Sequence, residues 1–403
     1  MEAVINPGKL KGDLRPPVCK SQLIRAVFCA SLAKGKSVLH GAELSGDVKA
    51  ALSCAESLGV EWKFEDGTLT VCGGAREKRG SFDCGESAAV LRFAIPAALA
   101  VNGGGVFSGQ GRLMERPLEE YRRLFQRCGT EWTTGNGDKL VIKGRLDNEV
   151  YEISGSTSSQ FISGVLLALP AAGGGAVIIR DELCSSGYVD MTCAVMKHAG
   201  VNIYRNRGEI CVDGCYRPFE TEIERDWSNA AFFLAANAMG SDIRIDGLNY
   251  ASLQPDRRIV DLLSLLSRPG YAEINVSQTP DLLPPLAAFA SVREGKTSFT
   301  GAANLRYKEC DRLAAITDIL GTLGADVRQT PDALIISGRE KLYGGRVDSH
   351  NDHRMAMMAA IAAAVCSKAV VISGAECTDK SYPAFFDDYL RLGGEGSVRI
   401  CGE

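Results

Sequence analysis

The chain is poor in histidine and lacks paired cysteines. It has four histidines in 403 residues, and its fourteen cysteines include no C-x-x-C pair. A structural zinc site needs closely spaced Cys and His ligands, so no metal is expected. The cysteines stand singly, many inside apolar periodic segments. They read as small buried hydrophobes of a reducing compartment, and a cytoplasmic location is expected. Long hydrophobic runs are also missing. Stretches such as 356–366 "AMMAAIAAAVC" are too short to cross a bilayer. The start "MEAVINPGKL" lacks the charged and apolar regions of a signal peptide. No charge of one sign dominates, the net being −4. That disfavours a general polyanion binder while leaving room for local basic pockets. Neither nucleic acid nor a membrane is therefore expected as a partner. What is present, 45% hydrophobic and 23% charged residues, fits a globular protein too long for one core, so two domains are expected.

A repeat runs through the chain. A Leu-rich helix end, a Gly stop and a short strand-like run recur in "ESLGVEW", "QRCGTEW", "KHAGVNI", "SRPGYAEI", "GTLGADV" and "RLGGEGSV". The glycines are Gly59, Gly129, Gly200, Gly270, Gly324 and Gly394, spaced 70, 71, 70, 54 and 70 apart. Glycine suits the left-handed residue that follows a helix end. Between them lie Ala-rich segments that are apolar nearly all round, opening near Lys20, Glu86, Ser158, Asp226, Asp281 and Asn351. A helix apolar on every face is buried. Segments such as "TLTVCGG" and "ALIISG" read as strands. The chain thus reads as six βα-type units of about 70 residues, three per domain, with a boundary near residue 225. The fourth interval is short by about one strand or loop.

Scaffold repeats open their helices with interchangeable caps. Here the openings differ and are rich in charge and amide, which points to a site assembled from many segments. "KSQLIR" places Lys20, Ser21 and Arg25 at a helix start, either an anion cradle or a Ser cap with solvated cations. "GRLMERP" follows a Gly-rich loop and carries Arg112 and Arg116; "GSTSSQF" clusters Ser158, Ser159 and Gln160; "CSSGYVD" adds Ser185 and Tyr188. In "NLRYKECDRL", Lys308 and Arg312 are predicted to share a helix face, with Glu309 among cations. "HNDHRMAM" holds His350 and His353, a weak case for metal and a better one for a charged cleft. "CTDKSYP" puts Lys380 in a turn.

Taken together and in this order, these segments, with "TPDLLP", resemble the 5-enolpyruvylshikimate-3-phosphate synthase family, the 3-phosphoshikimate 1-carboxyvinyltransferases. The strings R-x-K-E-x-D-R and N-D-H-R-M-A carry most of the specificity. The resemblance implies an α/β fold of two domains, an inside-out barrel-like arrangement of six βαβαββ units with buried helices. It divides the chain into 1–18 plus 225–403 and 19–224, with the active site in the cleft. It implies transfer of the enolpyruvyl group of phosphoenolpyruvate to the 5-hydroxyl of shikimate 3-phosphate through a tetrahedral intermediate, without cofactor, in a monomer.

Carried over by position, Lys20, Ser21, Arg25, Ser158, Ser159, Gln160, Ser185, Asp281, Asn304 and Lys308 would hold shikimate 3-phosphate. Lys20, Ala88, Arg112, Gln160, Arg312, Arg354 and Lys380 would hold phosphoenolpyruvate. Asp281 would take the hydroxyl proton, and Glu309 with Lys20 would handle protonation of the enol carbon. A related UDP-N-acetylglucosamine enolpyruvyl transferase, or a homologue that binds without turnover, is the alternative. Two departures stand out. Cys310 replaces the usual Ser or Thr. "GESAAVLR" replaces a pattern nearer G-N-[SA]-G-T-x-x-R, keeping Arg92 but placing Glu86, Ala88 and Ala89 at a helix start suited to anions. Glu86 is expected either to cap its own helix or to weaken anion binding. The Ala88 methyl is expected to narrow the phosphoenolpyruvate pocket against the bulkier glyphosate.

Overall fold

A computed structural model describes residues 1–74, 80–134, 139–147, 149–394 and 396–401. The chain divides into two compact units, Met1–Pro17 with Arg225–Glu403, and Val18–Glu224.

The Val18–Glu224 unit contains α1 (Lys20–Leu32), α2 (Gly46–Ser57), α3 (Ala88–Val101), α4 (Glu119–Gln126), α5 (Ser159–Ala172) and α6 (Ser186–His198). Buried and amphipathic helices alternate. In α3 all but three of fourteen residues are buried, whereas α4 buries only Tyr121, Leu124 and Phe125. Three four-stranded sheets surround them. In the second, Gly80–Asp83 pairs in parallel with Gly104–Ser108, with α3 as the crossover, and an antiparallel hairpin completes the sheet. A parallel pair needs such a long crossover, and α3 supplies it here. The third sheet repeats this around α5. The first is closed by Glu220–Glu222, which returns to pair with Gly35–His40, so the three repeats form a ring.

The other unit contains α7 (Trp227–Ala238), α8 (Ile259–Leu266), α9 (Leu283–Ala290), α10 (Arg312–Thr322), α11 (His353–Ala363) and α12 (Phe385–Gly393). Every residue of α9 and α11 is buried, as the all-round apolar pattern predicts. The six repeat glycines all adopt positive φ, between 72° and 96°.

The short fourth interval lacks more than a single strand. Between α7 and α9 the only strands are Asp242–Ile245 and Gly270–Asn275, either side of α8, so the usual hairpin is missing and the local sheet has two strands. Its second strand, Lys11–Leu14, comes from the N-terminus. Glu2–Ile5 likewise fills the sheet of Gly345–Asp348, Val370–Ser373 and Val398–Cys401, antiparallel to the last two. No helix among the described residues is long and apolar enough to cross a membrane. Seven of the fourteen cysteines are buried and all are free.

Candidate functional site

The candidate residues form two groups, one in each unit. In the Val18–Glu224 unit, Lys20 opens α1 and its Nζ lies 2.7 Å from Asp47 Oδ2 on α2. The helix has Cys19 at its N-cap position without a side-chain cap, so Ser21 is no cap. Arg25 is buried one turn on. Its Nε donates to Thr192 Oγ1 at 2.7 Å, Nη1 to the Ser21 carbonyl at 2.8 Å and Nη2 to the Tyr188 carbonyl at 3.3 Å. Burial lowers its pKa to about 10, against weaker opposing effects led by Tyr188, so it remains a cation at neutral pH. Ser185, before α6, has φ 54°, a left-handed conformation unusual for a residue with a Cβ.

Ser158 caps α5 by accepting from the Gln160 N–H, and Ser159 is the buried first residue of the helix. Gln160 Oε1 accepts from Arg92 Nη1 at 2.8 Å. Arg112 is half exposed, with Nε 3.2 Å from Glu115 Oε2. A cavity of about 560 Å³ lies beside this loop, walled by Arg116, Arg122, Trp132 and Lys139 among others; none of the residues carried over to the two substrates lines it. Ala88 is the buried first residue of α3. The cap there belongs to Ser87, which accepts from the Val90 N–H, so Glu86 does not cap its helix. The Glu86 carboxylate instead lies against the turn before Arg112, and a Cβ on Gly111 would sit 2.6 Å from its Oε1.

In the other unit the charges converge on Arg312, 1% exposed at the start of α10. Its Nε donates to Asp352 Oδ2 at 2.7 Å, Nη1 to Asp281 Oδ1 at 2.7 Å and Nη2 to Glu309 Oε2 at 2.9 Å. Asp281 also meets Lys308 at 3.4 Å and Arg354 at 3.2 Å, and Glu309 meets Lys380 at 3.0 Å. Four cations and three carboxylates thus form one connected lattice, mostly out of water, where each attraction is stronger than at the surface and offsets the cost of desolvating the ions. Burial by itself would raise the Asp281 pKa. Arg354, Lys308 and Arg312 together outweigh it and hold the carboxyl well below its ordinary value. Burial likewise works against Arg312, but Asp352, Glu309 and Asp281 raise it well above the usual range.

Lys308 does not share a helix face with Arg312 as predicted. It follows the 3-10 turn Ala303–Tyr307, which carries half-buried Asn304, and α10 begins only at Arg312. The two cations meet through Asp281 because the loop bends. Lys380 ends a second 3-10 turn, Ala375–Lys380. His350 Nε2 sits 3.0 Å from Asp318, while His353 is buried at the start of α11. Among the described residues no cluster suited to a metal occurs. The Cys310 thiol donates to Asp352 Oδ2 at 3.6 Å, doing weakly what a hydroxyl would do.

Sequence reasoning gave no site role to Asp352, Asp47, Arg92 or Asp256. Asp352 was legible as a helix cap, accepting from the Arg354 N–H at 2.9 Å; nothing in the string announces its grip on Arg312. Asp256 is buried and accepts from Ser228 Oγ. Burial, aided by the Asp281 and Asp226 charges and opposed by Arg354 and the Ser228 bond, pushes it up from 3.8 to about 6. A raised carboxyl favours the folded state when protonated. Its contribution to stability is complete below about pH 4 and is lost as pH rises through about 6. Asp256→Asn is therefore expected to gain stability over the parent between pH 4 and 8 in denaturant titrations. A difference constant across that range would remove this assignment.

Comparison with known proteins follows the same lines. The family described as EPSP synthase (3-phosphoshikimate 1-carboxyvinyltransferase) matches residues 4–389. The chain is 39% identical to the 3-phosphoshikimate 1-carboxyvinyltransferase of Clostridium botulinum (strain Alaska E43 / Type E3), covering 99% of both chains. It is 38% identical to that of Clostridioides difficile (strain 630), covering 97% of both. Among solved structures, EPSP synthase from Acinetobacter baumannii superposes with a TM-score of 0.79 at 24% identity over 100% of both chains. The enolpyruvyl transferase NikO from Streptomyces tendae gives 0.75 at 16% identity, covering 99% of this chain and 98% of its own. At those identities the structures speak for the fold.

Proposed function

The chain belongs to the EPSP synthase (3-phosphoshikimate 1-carboxyvinyltransferase) family, and we propose that the two groups of side chains described above perform that family's reaction. It transfers the enolpyruvyl group of phosphoenolpyruvate to shikimate 3-phosphate and releases phosphate. The observation that carries the residue assignment is the buried lattice around Arg312, which sets two carboxylates, Asp281 and Glu309, among four cations.

Two phosphates and a carboxylate must be gathered, which demands this density of cations. In our reading Lys20, Ser21, Arg25, Ser158, Ser159, Gln160, Ser185, Asn304 and Lys308 hold shikimate 3-phosphate. Lys20, Arg112, Gln160, Arg312, Arg354 and Lys380 hold phosphoenolpyruvate beside Ala88. Asp281 accepts the proton of the 5-hydroxyl as its oxygen bonds to C2 of phosphoenolpyruvate. The double-bond electrons take a proton at C3, supplied through Glu309, giving the tetrahedral intermediate. Loss of that proton and of the C2–phosphate bond then restores the alkene. Positioning and charge supply the rate gain. The protein is proposed to act as a cytoplasmic monomer. The UDP-N-acetylglucosamine reaction is not favoured.

The test is a coupled assay of phosphate release from the two substrates. Binding of both without release would reduce the chain to a binding homologue. For Ala88, weak inhibition by glyphosate is expected, with Ala88→Gly lowering the inhibition constant about ten-fold or more, the effect of one methyl in a tight pocket. Tight glyphosate inhibition of the parent, competitive with phosphoenolpyruvate, would refute the narrowing.

A further inference from the structure

One buried cation of the Val18–Glu224 unit stands outside the assignments above. Arg92, 5% exposed on α3, ties three candidate segments together. Its Nη1 donates to Gln160 Oε1 at 2.8 Å and to Ser158 Oγ at 3.4 Å, and its Nη2 to the Pro117 carbonyl at 3.1 Å, five residues past Arg112. The guanidinium lies 4.4 Å over the Phe161 ring, which adds a cation–π attraction.

The backbone fixes this cation against α5. Tyr121 Oη lies 2.7 Å from the Arg92 carbonyl and 3.0 Å from that of Phe161, joining α3 to α5. Gly164 makes the approach possible. A Cβ there would fall 2.2 Å from both the Arg92 carbonyl oxygen and the Tyr121 hydroxyl. The seam therefore leaves Arg92 little freedom to move relative to Gln160.

A glutamine amide has two ends of similar shape and opposite polarity, and its neighbours decide which faces where. A guanidinium has donors only, so Arg92 selects the carbonyl end. The –NH2 end is left to point away from Arg92, and an anion accepts hydrogen bonds only from such a donor. We propose that Arg92 is a positioning residue that locks the Gln160 amide with its –NH2 presented to the anionic substrate. The inference rests on the assignment of Gln160 to substrate binding made above.

Four variants of the full chain test it: Gln160→Glu, Arg92→Lys, Gln160→Ala, and Arg92→Lys combined with Gln160→Ala. Glutamate keeps the shape of Gln160 and pairs with Arg92, but it has no –NH2 to offer. It is expected to melt at or above the parent temperature while raising KM for phosphoenolpyruvate about ten-fold or more. Lysine keeps the charge and loses the fork. It is expected to raise the same KM roughly ten-fold with a smaller change in kcat, and to have no further effect in the Gln160→Ala background. Unchanged KM in Gln160→Glu overturns the proposal. So does an Arg92→Lys effect of equal size with and without Gln160, which marks a merely structural arginine. Calorimetric binding of phosphoenolpyruvate by the same variants keeps the two readings apart. If the parent binds phosphoenolpyruvate but releases no phosphate, the functional assignment fails while the binding constants still decide on Arg92. If the parent binds none, both fail.

Discussion

Replacing Arg312 by methionine is expected to abolish phosphate release and to lower the melting temperature by roughly 10 °C. The side chain is 1% exposed, and Asp352, Asp281 and Glu309 all share it. Removing one member of a buried ionic group leaves the others charged and unpaired, at a cost of about 3–5 kcal/mol. For a unit of this size that corresponds to about the stated shift. Arg312→Lys separates folding from chemistry. An ammonium is a point charge that reaches one carboxylate well and cannot fork across three. The lysine variant is expected to fold with a smaller loss of stability and still lose at least about a hundred-fold in kcat/KM for phosphoenolpyruvate. A lysine variant within a few-fold of the parent in kcat/KM would show that Arg312 only holds the fold.

The second large effect belongs to Asp281. Asp281→Asn is expected to cut kcat by about 10²–10⁴, the usual worth of a general base, with phosphoenolpyruvate binding retained. Its pH dependence has a definite sign. A base works ionised, and the cations around Asp281 hold its carboxyl well below 3.8 in the ligand-free protein. Because kcat/KM reports the free enzyme, no acid limb from Asp281 is expected above about pH 4. An acid limb between pH 5 and 7 that disappears in Asp281→Asn would contradict this. The same shift favours the folded state above pH 3.8, a contribution lost as pH falls through the lowered value. Asp256 has the opposite sign, being pushed up to about 6. The two acids thus give the stability profile opposite slopes in different ranges. The cations that restrain Asp281 are the ones proposed to hold substrate. Binding of the substrate anions would draw Arg354 and Lys308 toward phosphate or carboxylate, which would make Asp281 a stronger base in the role proposed for it.

The residues differ in how openly they announced themselves. The helices were legible because their signals are local. An Ala-rich run without a polar face can only be a buried helix, and a glycine after a Leu-rich end supplies the left-handed residue that ends one. The strings around Lys20, Ser158, Glu309 and Arg354 were legible because charge and amide at the mouth of an apolar helix need a reason. The sequence alone therefore determined the six-fold repeat, the buried helices and most of the charged helix mouths.

Pairing across distance was decided by the tertiary structure. Arg312 meets residues 31 and 40 positions away, Arg354 one 73 away and Arg92 one 68 away. No periodicity encodes which cation shares which carboxylate. The cap at Ser87 in place of Glu86 turned on one residue of helix register. The gap in the fourth repeat was visible as a short interval, but its repair was not. Strands pair through backbone groups that any side chain can carry, so nothing local marked Glu2–Ile5 and Lys11–Leu14 as the strands that complete sheets formed more than 200 residues later.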